Sequence, residues 1–253
     1  MNEETETVRA AAILIGNELL SGRIADENMH YIANALVDAG IVLAEVRVIP
    51  DDCELIVKTV RELKEQVDYV FTTGGIGPTH DDITAECIAK AFEQPLIQHP
   101  QTADSLRKLF AERGVEANAE RMRMANMPQG AVPLLHKRSP VPGFRMENVY
   151  VLAGVPVIMR SMLDAAIPEL KKGKRVHSAS VRCDLQEGTL AKDLALIQQN
   201  HKNVDIGSYP LSKEYNHNVS LVVRGVDPDA VRTVSGEIKG LIVRLGGQII
   251  SED

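Results

Sequence analysis

From residue 9 to about residue 171 the chain alternates short apolar runs with longer segments of helical periodicity. That alternation confines the fold to a mostly parallel sheet with helices on both faces. Ala10 to Ile15 is apolar throughout, as a strand buried on both sides must be. Met29, Ile32, Ala33 and Leu36 then recur at helical spacing, with Gly40 as the stop. Val42, Ala44, Val46 and Val48 alternate with Leu43, Glu45, Arg47 and Ile49, which predicts a half-exposed strand near a sheet edge. A second helix carrying Leu55, Ile56, Val60, Leu63 and Val67 leads into a strand at Tyr69 to Thr73. Further on, helices are predicted at Gln101 to Glu112 and Asn118 to Asn126, and strands at Ala131 to Leu135 and Val149 to Leu152. Pro156 suits the first turn of a helix running to about Leu170. Met122, Met124 and Met127 read as residues that fill core gaps.

The polar stretch Lys171-Lys172-Gly173-Lys174-Arg175 breaks this pattern and sets the expected domain boundary, 1–172 against 173–253. Beyond it the order becomes strand, helix, strand, strand, helix, strand, the split βαββαβ unit of a ferredoxin-like α+β domain. This part has no G-x-x-G segment, which argues against an RNA-binding KH reading.

With 28 Lys and Arg against 35 Asp and Glu, the net charge of −7 argues against a general nucleic-acid or anionic-membrane binder. The acidic start, Met1-Asn2-Glu3-Glu4, lacks a basic region followed by an apolar core, and no apolar stretch approaches membrane length, so a cytoplasmic protein is expected. Cys53, Cys87 and Cys183 are odd in number and far apart, and read as small buried hydrophobes rather than a disulfide framework or metal cluster.

The chemistry concentrates where the Tyr69 strand enters Thr73-Gly74-Gly75-Ile76-Gly77-Pro78-Thr79-His80-Asp81-Asp82-Ile83-Thr84. A strand running into a glycine turn that opens a helix is where α/β proteins hold anions, because the backbone approaches phosphate closely and the helix dipole helps. Asp81 and Asp82 beside such a cradle would repel phosphate unless a cation lay between. The plainer reading is an Asp helix cap after a Gly-Gly turn. The first strand ends in Gly16-Asn17-Glu18-Leu19-Leu20-Ser21-Gly22, followed by Asp26 and Asn28, and the edge strand ends at Pro50-Asp51-Asp52. In a parallel sheet these loops share one rim, so Glu18, Ser21, Asp26, Asn28 and Asp51 can converge with Asp81 and Asp82. Each has a structural alternative: Asp26 and Asp51 as helix caps, Ser21 and Gly22 as a turn. Ala153-Gly154-Val155-Pro156 repeats the strand, tight turn and helix arrangement at that rim. His80 reads as an exposed loop histidine, and an arginine at 121 or 123, or Arg145 of the Ser139 to Arg145 loop, can fix a second phosphate or stack on a ring, which most surface arginines do not. The sequence carries no Walker A loop, dinucleotide fingerprint, nucleophile elbow or zinc signature.

The Gly16 to Gly22 loop with Asp26 and Asn28, together with Thr73 to Thr79 and Asp81-Asp82-Ile83-Thr84, resembles the molybdopterin-binding domain of the MoaB/Mog type. The Gly-Pro-Thr-x-Asp-Asp form is most similar to the competence/damage-inducible protein A (CinA-like) branch, which also includes the N-terminal domain of eukaryotic FAD synthases. Pro140-Val141-Pro142-Gly143-Phe144 and Leu152 to Pro156 add to the resemblance, as do Gly188, Ala191 and Ile206 to Pro210 in the small domain. The resemblance implies a phosphate or pterin site at Gly16, Glu18, Ser21, Gly22, Asp26, Asn28, Thr73, Gly74, Gly75, Gly77, Thr79, Gly143, Gly154 and Pro156. It implies a divalent metal (Mg²⁺, Mn²⁺ or Co²⁺) at Asp51 and Asp82, with Asp51, Asp81 and Asp82 as catalytic acids. The expected activity is metal-dependent pyrophosphatase action on ADP-ribose or FAD. The alternatives are molybdopterin binding or adenylyl transfer, and a non-catalytic scaffold. Self-association is expected from the superfamily. The chain shows neither the deamidase domain of longer members nor a nucleotidyltransferase domain, so deamidation and FAD synthesis are not expected.

Overall fold

The structure, a computed structural model, describes residues 7–135, 143–211 and 218–253; the Pro140 to Pro142 part of the motif lies outside them. Two compact units result, Met1–Gly173 and Lys174–Asp253.

In the first unit the elements run β1 (Arg9–Ile15), α1 (Asn17–Leu20), α2 (Asn28–Asp38), β2 (Val42–Ile49), α3 (Cys53–Lys64), β3 (Tyr69–Thr73) and α4 (Thr84–Ala91). They continue with β4 (Leu96–Gln98), α5 (Pro100–Glu112), α6 (Ala119–Met122), a 3-10 turn at Arg123–Ala125, β5 (Asn126–Pro128), β6 (Val132–Leu134), β7 (Gly143–Met146), β8 (Val149–Leu152) and α7 (Pro156–Ala166). Among the described residues six strands form one sheet in the order β2-β1-β3-β8-β7-β6, with β4 and β5 paired separately. β2, β1, β3 and β8 are mutually parallel, while β7 runs antiparallel to β8 and to β6. The mostly parallel sheet expected from the alternation is therefore present, with an antiparallel margin.

Both faces are covered. On one, Ile56, Val60 and Leu63 of α3 and Cys87 and Ile88 of α4 pack on Ala11, Ile13, Val70 and Val151. On the other, Ile32 and Leu36 of α2 and Met159, Met162 and Leu163 of α7 pack on Ala10, Phe71, Tyr150 and Leu152. Fully burying Ile32 or Leu36 stabilises by about 2 kcal/mol each. Met29, predicted on that buried face, is 41% exposed, and Asn28 is buried at the start of the helix instead. β2 is an edge strand, and its exposed residues are Val42, Ala44, Val46 and Val48. Arg47 is half-buried because its guanidinium forks onto Glu62 of α3 at 2.9 and 2.7 Å.

Three further expectations change. The helix predicted over Asn118 to Asn126 is α6, a 3-10 turn and the first residue of β5, since Asn126 must extend to pair with Gln98. The pairings of β4, β5 and β7 were not anticipated. Cys53 and Cys87 are bridged across α3 and α4, with Cα atoms 5.3 Å apart, so only Cys183 is a free buried thiol among the described residues. Residues 34 apart in sequence meet here because the first residue of α3 and the middle of α4 share one sheet face.

The second unit has β9 (His177–Cys183), α8 (Glu187–Asn200), β10 (Val204–Pro210), β11 (Val219–Gly225), α9 (Pro228–Arg244) and β12 (Ile249–Glu252). Its antiparallel sheet has the order β10-β11-β9-β12, and Leu190, Val234, Ile238 and Leu241 pack on Val181, Leu221 and Val223. Gln198 ties the end of α8 to β10, donating to the Val204 carbonyl at 2.8 Å and accepting the Ile206 N–H at 2.8 Å.

Gly236 and Gly240 lie on the exposed side of α9, and a Cβ at either would meet nothing within 4 Å. Alanine at each position should stabilise the second unit by roughly 0.5–1 kcal/mol, read as a higher urea midpoint.

Candidate functional site

Ile15, Ile49, Thr73 and Leu152 end four parallel strands at one rim, and the loops that follow gather there. The rim is built around Gly74. Its N–H donates to the Leu152 carbonyl at 3.2 Å, and the Thr84 hydroxyl donates to its carbonyl at 3.0 Å. Gly74 has φ +103°, and a side chain there would run into the Ile15 carbonyl oxygen. Gly75, at φ +66°, leaves room for Thr84 Oγ1. A Cβ on Gly154 would lie 3.3 Å from Gly74 Cα, so the two turns touch backbone to backbone. These glycines first serve to bring β1, β3 and β8 to a common end.

The glycine turn does not itself open a helix. Residues 76 to 83 intervene before α4 begins at Thr84, whose N–H is taken by the Gly75 carbonyl at 2.9 Å. Thr79 N–H and Oγ1–H donate to Asp82 Oδ2 at 2.7 and 2.5 Å, and Arg123 donates to the carbonyls of Thr79 and Asp82 at 3.0 and 3.1 Å. The loop thus has an internal carboxylate tie and an external guanidinium brace.

A cavity of about 530 Å³ lies at this rim. Of the residues expected there, Glu18, Asp26, Asn28, Thr73, Gly74, Gly75, Gly77, Asp82, Gly154 and Pro156 line it. Asn28 is 5% exposed, and its Nδ2 donates to the Gly154 carbonyl at 2.8 Å, tying α2 to the α7 turn. Asp26 also holds the start of α2, accepting the Met29 N–H at 2.7 Å. α2 and α7 are further joined by Tyr31, whose hydroxyl donates to Asp164 at 2.7 Å, and by Arg160 over its ring. That bond, made to a carboxylate, pushes the Tyr31 phenol above its usual range.

The other expected residues stand away from the cavity wall. Asp51 Oδ2 accepts the Asn17 N–H at 3.0 Å and so anchors α1; Asp52, its neighbour, caps α3 by accepting the Leu55 N–H. Asp81 is exposed, and the Thr79 hydroxyl holds its carboxyl below the usual carboxylate range. Gly16, Gly22 and Ser21 shape the α1 turn, where the Ser21 hydroxyl donates to the Glu18 carbonyl at 3.2 Å. Gly143 belongs to β7, packed against the Val151 carbonyl and Met162. His80 is exposed, and Arg121 points to the Glu116 carbonyl.

The cavity also has an apolar wall that the glycine and acid motifs do not mark, chiefly Leu19, Ile24, Ile76, Val155, Ile158 and Met162. Its signal was present: Ile24, Ile76 and Val155 are apolar side chains inside loops rich in glycine, proline and acids. Met124 belongs to the cavity wall too, unlike the buried Met122 and Met127. Among the described residues lining this cavity there are four carboxylates (Glu18, Asp26, Glu27, Asp82) and no Lys, Arg or His.

Comparison with known proteins adds family to geometry. Residues 11–172 match the family described as probable molybdopterin binding domain, and residues 175–245 match the middle domain of FAD synthase. A protein of Archaeoglobus fulgidus is 35% identical over 199 residues, covering 78% of this chain and 84% of its own. A CinA-like protein of Desulfosudis oleivorans is 34% identical over 179 residues, 68% of this chain and 43% of that one. The crystal structure of CinA from Thermoplasma acidophilum, described as of unknown function, superposes with TM-score 0.59 at 31% identity, over 64% of this chain and 98% of that one. Among the described residues no helix is long and apolar enough to cross a membrane.

Gly74→Ala should cost about 2–4 kcal/mol, because it adds a strained φ to a collision with the Ile15 carbonyl. Chemical denaturation of the purified protein would show this as a lower midpoint for the first unit.

Proposed function

The chain belongs to the molybdopterin-binding-domain family, with a FAD-synthase-middle-domain segment after it, and from that premise we propose that it hydrolyses a dinucleotide pyrophosphate of the ADP-ribose or FAD type. One observation carries the reading: an apolar cavity sized for a heterocycle, at a backbone turn suited to phosphate, has carboxylates as its only charged lining residues among those described. A phosphate placed there needs a cation between itself and Glu18 or Asp82.

The donor set suits a hard divalent ion such as Mg²⁺, Mn²⁺ or Co²⁺, since Glu18 and Asp82 supply carboxylate oxygens. Among the described residues no three His, Cys, Asp or Glu side chains are grouped to hold an ion, so water and substrate phosphate oxygens would complete its shell, as is usual for Mg²⁺. When bound, such an ion supplies neutralisation of the charge that grows on the bridging oxygen.

The chain's own residues do the rest. The Gly75 to Gly77 backbone seats a phosphate, and the apolar wall holds the ring and excludes water from it. Asp82, fixed by Thr79, stands at the phosphate, and Asp51 positions α1 and hence Glu18. Water attacks one phosphorus, its bond to the bridging oxygen breaks, and that oxygen leaves on the second phosphate. ADP-ribose and water thus give AMP and ribose 5-phosphate, with the water protons passing to the products. In this reading the protein is cytoplasmic and self-associating, and acts on a small molecule, not on nucleic acid or membrane.

Molybdopterin binding is the second reading, favoured by the family match over residues 11–172 and by the same combination of apolar slot and phosphate turn. Both are tested together. Purified protein should release AMP from ADP-ribose or FAD with Mg²⁺, Mn²⁺ or Co²⁺, release none with EDTA, and lose at least about 100-fold of the rate in Asp82→Asn. Retention of pterin through gel filtration without AMP release under any metal would replace hydrolysis with molybdopterin binding.

A further inference from the structure

A second cavity, of about 310 Å³, lies against the first. The two share Gly75, Ile76, Gly77, Asp82 and Met124, so the glycine turn and Asp82 form a ridge between them rather than the floor of a single hole. Their chemistry differs. The first has an apolar wall and no cationic side chain among its described lining residues, whereas the second contains a cation, Arg123, with Asn126 and the carboxylates of Asp82 and Glu86, the latter paired with Lys90 at 2.8 Å. Arg123 is already oriented by two charge-assisted bonds, to the carbonyls of Thr79 and Asp82, which use two of its five N–H donors. A guanidinium fixed in this way is suited to a phosphate.

We propose that the two cavities are one divided site: the heterocycle of the ligand occupies the first, and the phosphate farther from that heterocycle sits in the second, recognised by Arg123. The phosphate nearer the ring then lies on the ridge at Gly77 and Asp82. This rests on the pyrophosphatase reading and adds the direction in which the substrate lies. It also makes Arg123 the residue that separates a nucleoside diphosphate from a monophosphate. A monophosphate fills the ring cavity and the ridge but leaves the Arg123 cavity to water.

The test is calorimetric binding of AMP and of α,β-methylene-ADP, which cannot be cleaved at the bridge, with Mg²⁺ present, to wild type, Arg123→Gln and Arg123→Lys. Wild type should bind the diphosphate analogue at least about 10-fold more tightly than AMP, as expected of a charge-assisted contact. Arg123→Gln, which also removes the brace on the Asp82 loop and so weakens both nucleotides, should bring that ratio to about 2 or below; Arg123→Lys, which keeps the charge but not the fork, should retain part of the ratio. An unchanged ratio in Arg123→Gln would overturn the assignment. So would an equal loss for both nucleotides, since Arg123 would then only brace the loop. Failure of wild type to bind either nucleotide would remove the pyrophosphatase reading itself, an outcome distinct from both.

Discussion

The close packing of backbone at Gly74 is the constraint on which the rest of the rim depends. β1, β3 and β8 converge on a residue with no side chain: the Ile15 carbonyl occupies the place of its Cβ, the Leu152 carbonyl accepts its N–H, and Gly154 closes over its Cα. Three strand ends can meet this tightly only where no side chain separates them. The cavity is the space left above that junction, and its shape follows from how α1, α2 and α7 enter around it.

Selectivity at the rim is a matter of charge as much as of shape. Of four carboxylates on a mostly apolar wall, Glu27 is paired with Arg160, and the charges of Glu18, Asp26 and Asp82 make an uncompensated anion costly to admit, which couples anion binding to a cation. The carboxylates differ in what holds them. Asp82 is tied to Thr79 and Asp26 to the start of α2, so each is set in place before a ligand arrives. Such prior placement reduces the ordering cost that binding would otherwise carry.

The sequence was most legible where periodicity was long. The runs from Ala10 to Phe92 and the whole βαββαβ order of the second unit stand in the structure with shifts of a few residues at their ends. Among the short strands, β6 and β8 stand where strands were predicted, whereas β4, β5 and β7, of three or four residues each, carry too few residues for a period to mark them. Glycine and acid motifs led to the rim because several of them fall together at successive strand ends, although each alone also serves as a cap or a turn. The apolar wall did not announce itself, since isoleucine and valine are the usual residues of any core, and only their position inside loops marks Ile24, Ile76 and Val155. Arg123 and the Cys53–Cys87 bridge depend on which distant segments come together, and local sequence carries no record of that.

The brace from Arg123 has a consequence for how the protein comes to be folded. The loop after Gly77 takes its shape from a guanidinium 44 positions downstream of Thr79, and the Gly74 junction needs the carbonyl of Leu152. Neither support exists while only the first half of the sheet has left the ribosome. The βα units around β1 and β3 can collapse early through local contacts, but the ligand-binding rim is assembled from partners of high sequence separation, which form late and slowly. A nascent chain that has reached α4 therefore owns the Gly16 to Gly22 and Gly74 to Gly77 turns and the acids from Glu18 to Asp82, and still lacks a site.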